Sequence, residues 1–270
     1  MPRYVALSKS THRHAGLVPS GLSHALGQAA VPVVAEELPH LMPTMALAFV
    51  PSSAQQDELE LVALQSLQAG VNVYVHTNGR WIGGYQPAWY RAHPFKLLPE
   101  ETSKRQVVCI DEEAAALELE ASEGATRLFN DEGEPTQRLK DTITFLEKVG
   151  NAQTLTQRLV NQLHQAGVIV PWQVTARNPE SEAGRQVPGL HHIDENTLKA
   201  LAPETLAELA QSGALTVAYS QLLSEHRLKG LERLYQLRNA AENETPREEM
   251  DLEELFDSGE DDDITFNFDS

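Results

Sequence analysis

The chain has 270 residues, a single cysteine and a formal net charge of −18. One cysteine excludes a disulfide framework and fits a reducing compartment. The length allows a buried core without covalent staples, and the acidic balance disfavours nucleic-acid binding, which needs clustered bases against phosphate. The charge is uneven: residues 241–270 hold 13 acids against one arginine, whereas residues 1–240 hold 26 acids and 20 bases. The N-terminus lacks an apolar signal core, and no apolar run reaches the ~18 residues of a membrane span. No membrane insertion is expected, and the cytoplasm is the expected compartment.

In chain order, Pro2, Pro19, Pro32, Pro39 and Pro43 punctuate residues 1–45, which read as irregular. Val31–Pro39 reads as an extended stretch entering a turn. Strands are expected at Met45–Val50, Leu59–Leu64, Val71–His76 and Gln106–Ile110. Their short separations favour an antiparallel meander over βαβ units.

The stretch from Val71 to Phe95 is the most informative. Val71, Val73 and Val75 alternate with Asn72, Tyr74 and His76, the pattern of a half-buried strand. Asn78-Gly79 suits a type I′ turn. Trp81-Ile82 begins a return strand, which Gly83-Gly84 interrupts. Trp81, Tyr85, Trp89, Tyr90 and Arg91 then form a candidate binding platform. The competing reading is a packed aromatic core with Arg91 reaching out of it.

Asp111–Glu123 is acidic and alanine-rich, a helix or an ordered loop. Leu128–Pro135 reads as a hairpin-like turn, with Pro135 at the first position of a helix. Leu139, Ile143, Leu146, Val149, Leu155, Leu159 and Leu163 give that helix its apolar stripe. Gly150-Asn151 is expected to kink or split it, and Gly167 to close it. Val168–Thr175 and Gln186–Ile193 read as a hairpin. Asp194 or Asn196 caps a short helix, Pro203 starts another that Gly213 ends, and Leu215–Asn239 reads as one last helix.

The fold class is therefore α+β: a mostly antiparallel N-terminal sheet packed with a helical C-terminal half that contains one β-hairpin. Residues 1–125 form the mainly β half and 126–240 the mainly helical half, sharing a core. Residues 241–270 are an acidic tail, expected to be disordered. Within the tail, Leu252, Leu255 and Phe256 are spaced to dock one helix face, and Phe266 and Phe268 lie in an alternating run suited to strand addition.

Chemistry-bearing motifs are few. There is no phosphate-binding loop, dinucleotide fingerprint, nucleophile elbow, C-x-x-C or H-E-x-x-H. His192-Ile193-Asp194 is half of a two-His-one-carboxylate metal site; the alternative is a strand end with Asp194 as a helix cap. His12, His14 and His24 read as solvent-exposed, Asp111, Glu112 and Glu113 as surface acids, and Cys109 as a buried strand residue. No cofactor is expected.

Several pieces together resemble a known family. They are Val31–Pro39, Asn78-Gly79-Arg80-Trp81, Tyr85-Gln86-Pro87-Ala88, Arg91–Phe95, Cys109-Ile110-Asp111-Glu112, Leu128-Phe129 with Gly133-Glu134-Pro135-Thr136, Ile193-Asp194-Glu195 and Leu209–Tyr219. In this order they resemble the SapC family, named for an S-layer-associated bacterial gene. The resemblance implies a cytoplasmic accessory protein of Gram-negative bacteria, linked to envelope, surface-layer or TonB-dependent uptake systems. It implies a protein partner, such as a flavoprotein or an envelope-system component, and brings no catalytic residues. The alternative is a metal-dependent, non-haem-iron-like modifying enzyme acting with flavoprotein neighbours. A regulator whose acidic tail mimics nucleic acid is a third reading.

Overall fold

Leu59–Leu64 is apolar on both faces, a pattern that suits a strand covered on both sides, and its burial is nearly continuous. The computed structural model describes residues 2–52, 57–100, 106–178 and 181–243. The strands are β1 (Tyr4–Ala6), β2 (Gly16–Leu17), β3 (Ala30–Pro32), β4 (Leu47–Pro51), β5 (Leu59–Leu64), β6 (Phe95–Pro99), β7 (Gln106–Asp111), β8 (Leu117–Glu118), β9 (Thr126–Arg127), β10 (Ile169–Pro171), β11 (Val174–Asn178), β12 (Ser181–Val187) and β13 (His191–Ile193). The helices are α1 (Leu38–Leu41), α2 (Ala88–Ala92), α3 (Gln137–Gln165), α4 (Glu195–Lys199), α5 (Pro203–Ser212), α6 (Ala214–Ser224) and α7 (Leu228–Asn243).

The chain is an α+β protein, and the strand pairings described are antiparallel. Its central sheet has the order β10-β13-β4-β5-β3. This corrects the expected meander: β3 crosses to the far side of β5, and β13 arrives from the C-terminal half to lie beside β4. A second sheet, β1-β7-β6, uses two strands that the sequence did not announce: β6, and β1 within the stretch read as irregular. Helix α3 touches both sheets, at β5 and β6, while α6 lies against β4 and β13. The larger core cluster joins Phe49, Leu61 and Tyr90 to Leu163, Ile193 and Val217. The smaller joins Phe95 and Ile110 to Leu128, Leu139 and Leu146. Each buried side chain of this size contributes about 1.5–3 kcal/mol.

Five further expectations are corrected. Val71–His76 is not a strand. Asn72 is fully buried, and its side-chain oxygen accepts from Tyr74 N at 2.9 Å, bending the chain into a turn. Only a bridge between Val75 and Trp81 survives of the expected hairpin. Its loop is closed by Gly79 alone at φ +81°, with Gly79 N donating to His76 O and His76 N to Arg80 O, so it is a three-residue loop rather than type I′. Pro135 precedes the first turn of α3, because Thr136 is the cap and its hydroxyl accepts from Leu139 N. Gly150-Asn151 leaves α3 continuous over 29 residues, since packing on two sheets outweighs glycine's weak propensity. The last expected helix is two helices. Ser224 Oγ donates to Gln221 O and accepts from Leu47 N, which pins the end of α6 to β4 and breaks the run.

Other elements stand as read from the sequence. Leu59–Leu64 has its expected bounds, Gly167 has φ +71° after α3, Asp194 caps α4, and Gly213 has φ +90° between α5 and α6. The expected long hairpin is present as two short antiparallel pairs, β10-β13 and β11-β12.

Candidate functional site

Glu37 anchors a densely bonded surface. It ends a 3-10 turn over Ala35–Glu37, just before α1, and is 4% exposed. A buried carboxylate is costly unless donors surround it. Here Oε1 accepts from Ala88 N at 2.6 Å and from the Tyr85 hydroxyl at 3.0 Å, and Oε2 accepts from Val34 N at 3.2 Å. Arg91 Nη2 lies 3.8 Å from Oε1 and completes the charge balance. Glu37 thereby ties the strand-and-turn segment 30–41 to the aromatic segment that carries α2.

Above the carboxylate, side chains are layered. The His40 ring stacks on Tyr85 at 5.0 Å, and the Arg91 guanidinium lies 5.3 Å from the Tyr85 centroid and 5.2 Å from that of Phe145. Arg91 Nη2 donates to the Tyr85 hydroxyl at 2.8 Å, yet the arginine side chain keeps 43% of its surface exposed. Burial raises the Tyr85 hydroxyl to about 12, helped by the Glu37 charge and hydrogen bond and opposed by Arg91. Tyr85 therefore stays protonated at neutral pH and passes a fixed donor to Glu37.

A second cation adjoins. Lys96 Nζ sits 4.5 Å from the Trp89 centroid and 5.5 Å from that of Tyr4. Burial lowers the Lys96 ammonium, partly offset by Glu60, and burial raises the Glu60 carboxyl, partly offset by Lys96. Between β3, the start of α2 and α3 runs a seam lined by Val34, Glu37, Glu60, Trp89 and Gln153, with about 20 Å³ of room. That volume suits one water and no larger ligand.

The structure divides the five platform residues. Tyr90 is 2% exposed and belongs to the core, where its hydroxyl accepts from Asn72 Nδ2. Trp81 is half-buried, 5.7 Å from both Tyr74 and Tyr90, with Gly83 against its indole. A Cβ at Gly83 would stand 2.9 Å from that ring. Arg91 is exposed, whereas Tyr85 and Trp89 are partly buried and pack against the larger core cluster. Sequence reasoning missed Glu37, His40, Phe145 and Lys96. The signal for Glu37 was its position inside an apolar, proline-bounded run, where a charge needs a partner.

His192 and Asp194 are used separately. Asp194 Oδ1 accepts from Thr197 N at 2.7 Å as the cap of α4. His192 stacks on Trp172 at 5.1 Å, and its Nδ1 lies 2.8 Å from Glu225 Oε1. Among the described residues, no group of three His, Cys, Asp or Glu gathers to hold a metal ion. His12 is 1% exposed, which corrects the expectation of solvent exposure. Its Nδ1 lies 3.2 Å from Ser8 N and 3.3 Å from Ser8 O, and its Nε2 lies 3.3 Å from Glu112 Oε1. Asp111 is likewise buried, accepting from Arg3 N and Glu113 N, so it is not a surface acid. Burial raises the Cys109 thiol. The tail residues Leu252, Leu255, Phe256, Phe266 and Phe268 lie outside the described residues.

The body is of the mixed α+β class. The SapC family model matches residues 7–231, and the chain belongs to that family. No curated protein and no solved structure matches it. Among the described residues no helix is long and apolar enough to cross a membrane.

Proposed function

We propose that this SapC protein is a cytoplasmic accessory protein that captures a protein partner for a bacterial envelope, surface-layer or TonB-dependent uptake system. Its contact surface is the layer of exposed His40 and Arg91 over partly buried Tyr85 and Phe145, with partly buried Trp89 and Lys96 alongside. The observation that carries this reading is the held but open state of Arg91. One nitrogen is fixed by Tyr85, two rings lie close to the guanidinium, and 43% of the side chain faces solvent. Arginine and aromatic residues dominate binding hot spots, and a side chain already ordered loses less entropy on binding. The partner group that suits this surface is anionic, with apolar neighbours.

Capture from native lysate, read by mass spectrometry, tests it with three full-length proteins: wild type, Arg91→Lys and Trp89→Ala. Arg91→Lys keeps the charge and loses the planar fork. The expected result is a partner retained by wild type and depleted at least about tenfold by each variant, equivalent to ~1.4 kcal/mol. Melting temperatures and circular dichroism establish that each variant is folded. Equal capture by all three sinks the reading.

A further inference from the structure

We infer that the groove between the β1-β7-β6 sheet and the first turns of α3 binds a short apolar peptide through its side chains and both of its charged ends. The groove and the Arg91 surface both use α3, but they share no residue.

The groove holds about 410 Å³, inside the range of about 300–1,000 Å³ usual for small-molecule sites. Its floor is Phe129 and Leu139, both buried in the smaller core cluster. Its walls are Leu7, Val108, Pro135 and Ile143, each apolar and partly buried. A ligand with apolar side chains would take that surface out of water. The walls are fixed by the fold itself. Leu7 N donates to Val108 O at 2.8 Å, which holds the end of β1 against β7. Phe129 bridges to Pro135 across a tight turn, where Asn130 Oδ1 accepts from Glu134 N at 2.8 Å and Gly133 N donates to Asn130 O at 3.0 Å. The Thr136 hydroxyl donates to Arg127 O at 2.9 Å and so ties this turn to the start of α3. A site already shaped costs less to fill.

The rim carries one free charge of each sign. Lys9 and Glu134 both line the groove, both are exposed, and among the described residues neither side chain has an ionic partner. The other charges of the turn are committed. Arg127 pairs with Asp131 at 2.6 Å, Arg13 donates to Asp131 O at 2.6 Å, and Asn130 Nδ2 donates to Glu132 at 2.7 Å. Lys9 and Glu134 also do not pair with each other, so they stand apart on the rim. The ends of an extended dipeptide are roughly 7 Å apart, which lets one ligand meet both charges. Its carboxylate faces Lys9 and its ammonium faces Glu134, while two apolar side chains lie on the floor. A fatty acid or an apolar amine would leave one rim charge unmatched.

Titration calorimetry on the full chain tests this with leucyl-phenylalanine, its N-acetyl form, its C-terminal amide and glycyl-glycine. Expected is one-to-one binding of leucyl-phenylalanine, weakened about two- to fivefold by blocking either end, as suits exposed ion pairs. Glycyl-glycine, which has no apolar side chain, should not bind. Lys9→Gln should erase the preference over the amide and keep the preference over the N-acetyl form; Glu134→Gln should do the reverse. Methyl resonances of Leu7, Val108, Leu139 and Ile143 should shift on binding. Both variants change exposed side chains, and circular dichroism establishes that they are folded. Absent binding, shifts centred outside the groove, equal binding of the blocked and free dipeptides, or preferences that both variants leave unchanged overturn the inference. None of these outcomes bears on capture through Arg91.

Discussion

Glu37→Gln isolates the charge of the buried carboxylate from its shape. The amide oxygen can still accept from Ala88 N and Tyr85, which share Oε1. The amide nitrogen then faces Val34 N, a donor 3.2 Å from the native Oε2. One charge-assisted bond is lost and one buried donor is left without an acceptor, a cost of about 2 kcal/mol. For a chain of this size that lowers the melting temperature by roughly 4–8 °C. Glu37→Ala strips the acceptor from three donors and costs about 4 kcal/mol after allowing for shared relaxation. Scanning calorimetry measures both. A second readout is independent of stability: without the Glu37 charge, the Tyr85 hydroxyl titrates below its native value of about 12. A glutamine variant that melts within about 1 °C of wild type, with Tyr85 unshifted, would refute the role assigned to the carboxylate.

Two other outcomes are expected. Burial and the stacked neighbour His24, with ring centroids 3.6 Å apart, lower His93 from 6.5 to about 4, and Asp111 only partly opposes them. The folded state therefore binds fewer protons than the unfolded state between those values, so stability falls as pH drops from 6.5 towards 4. Urea midpoints across this window should flatten in His93→Phe, and an unchanged slope refutes the assignment. Asp194→Ala should cost about 1 kcal/mol through loss of the α4 cap, with Asp194→Asn close to wild type. Stoichiometric iron or zinc that the alanine variant loses would instead establish a metal role for Asp194.

How far the chain could be read depended on how local each cause was. Leu59–Leu64, Asp194, Gly167 and Gly213 owe their roles to neighbours a few residues away, and those roles were legible. The turn at Asn72 was hidden, because three alternating valines outweighed one polar residue whose burial depends on Tyr90. The break after Ser224 comes from a bond to Leu47, on another strand, and nothing near Ser224 signals it. The candidate surface was half legible for the same reason. Tyr85, Trp89 and Arg91 cluster in the sequence, whereas Glu37, His40 and Phe145 join them only through tertiary contacts.

The order of strands in the central sheet has a consequence for synthesis and for truncation. β13 fills the place beside β4, but its residues leave the ribosome more than 130 positions after those of β4. During that interval the edge of β4, including Leu47 and Phe49, has no partner on one side, and unpaired apolar edges invite pairing between chains. Ser224 and Gln221, which bond Leu47 from α6, arrive later still. A fragment cut near residue 125 would carry that edge permanently. It should aggregate, while a fragment reaching the end of α7 should stay soluble.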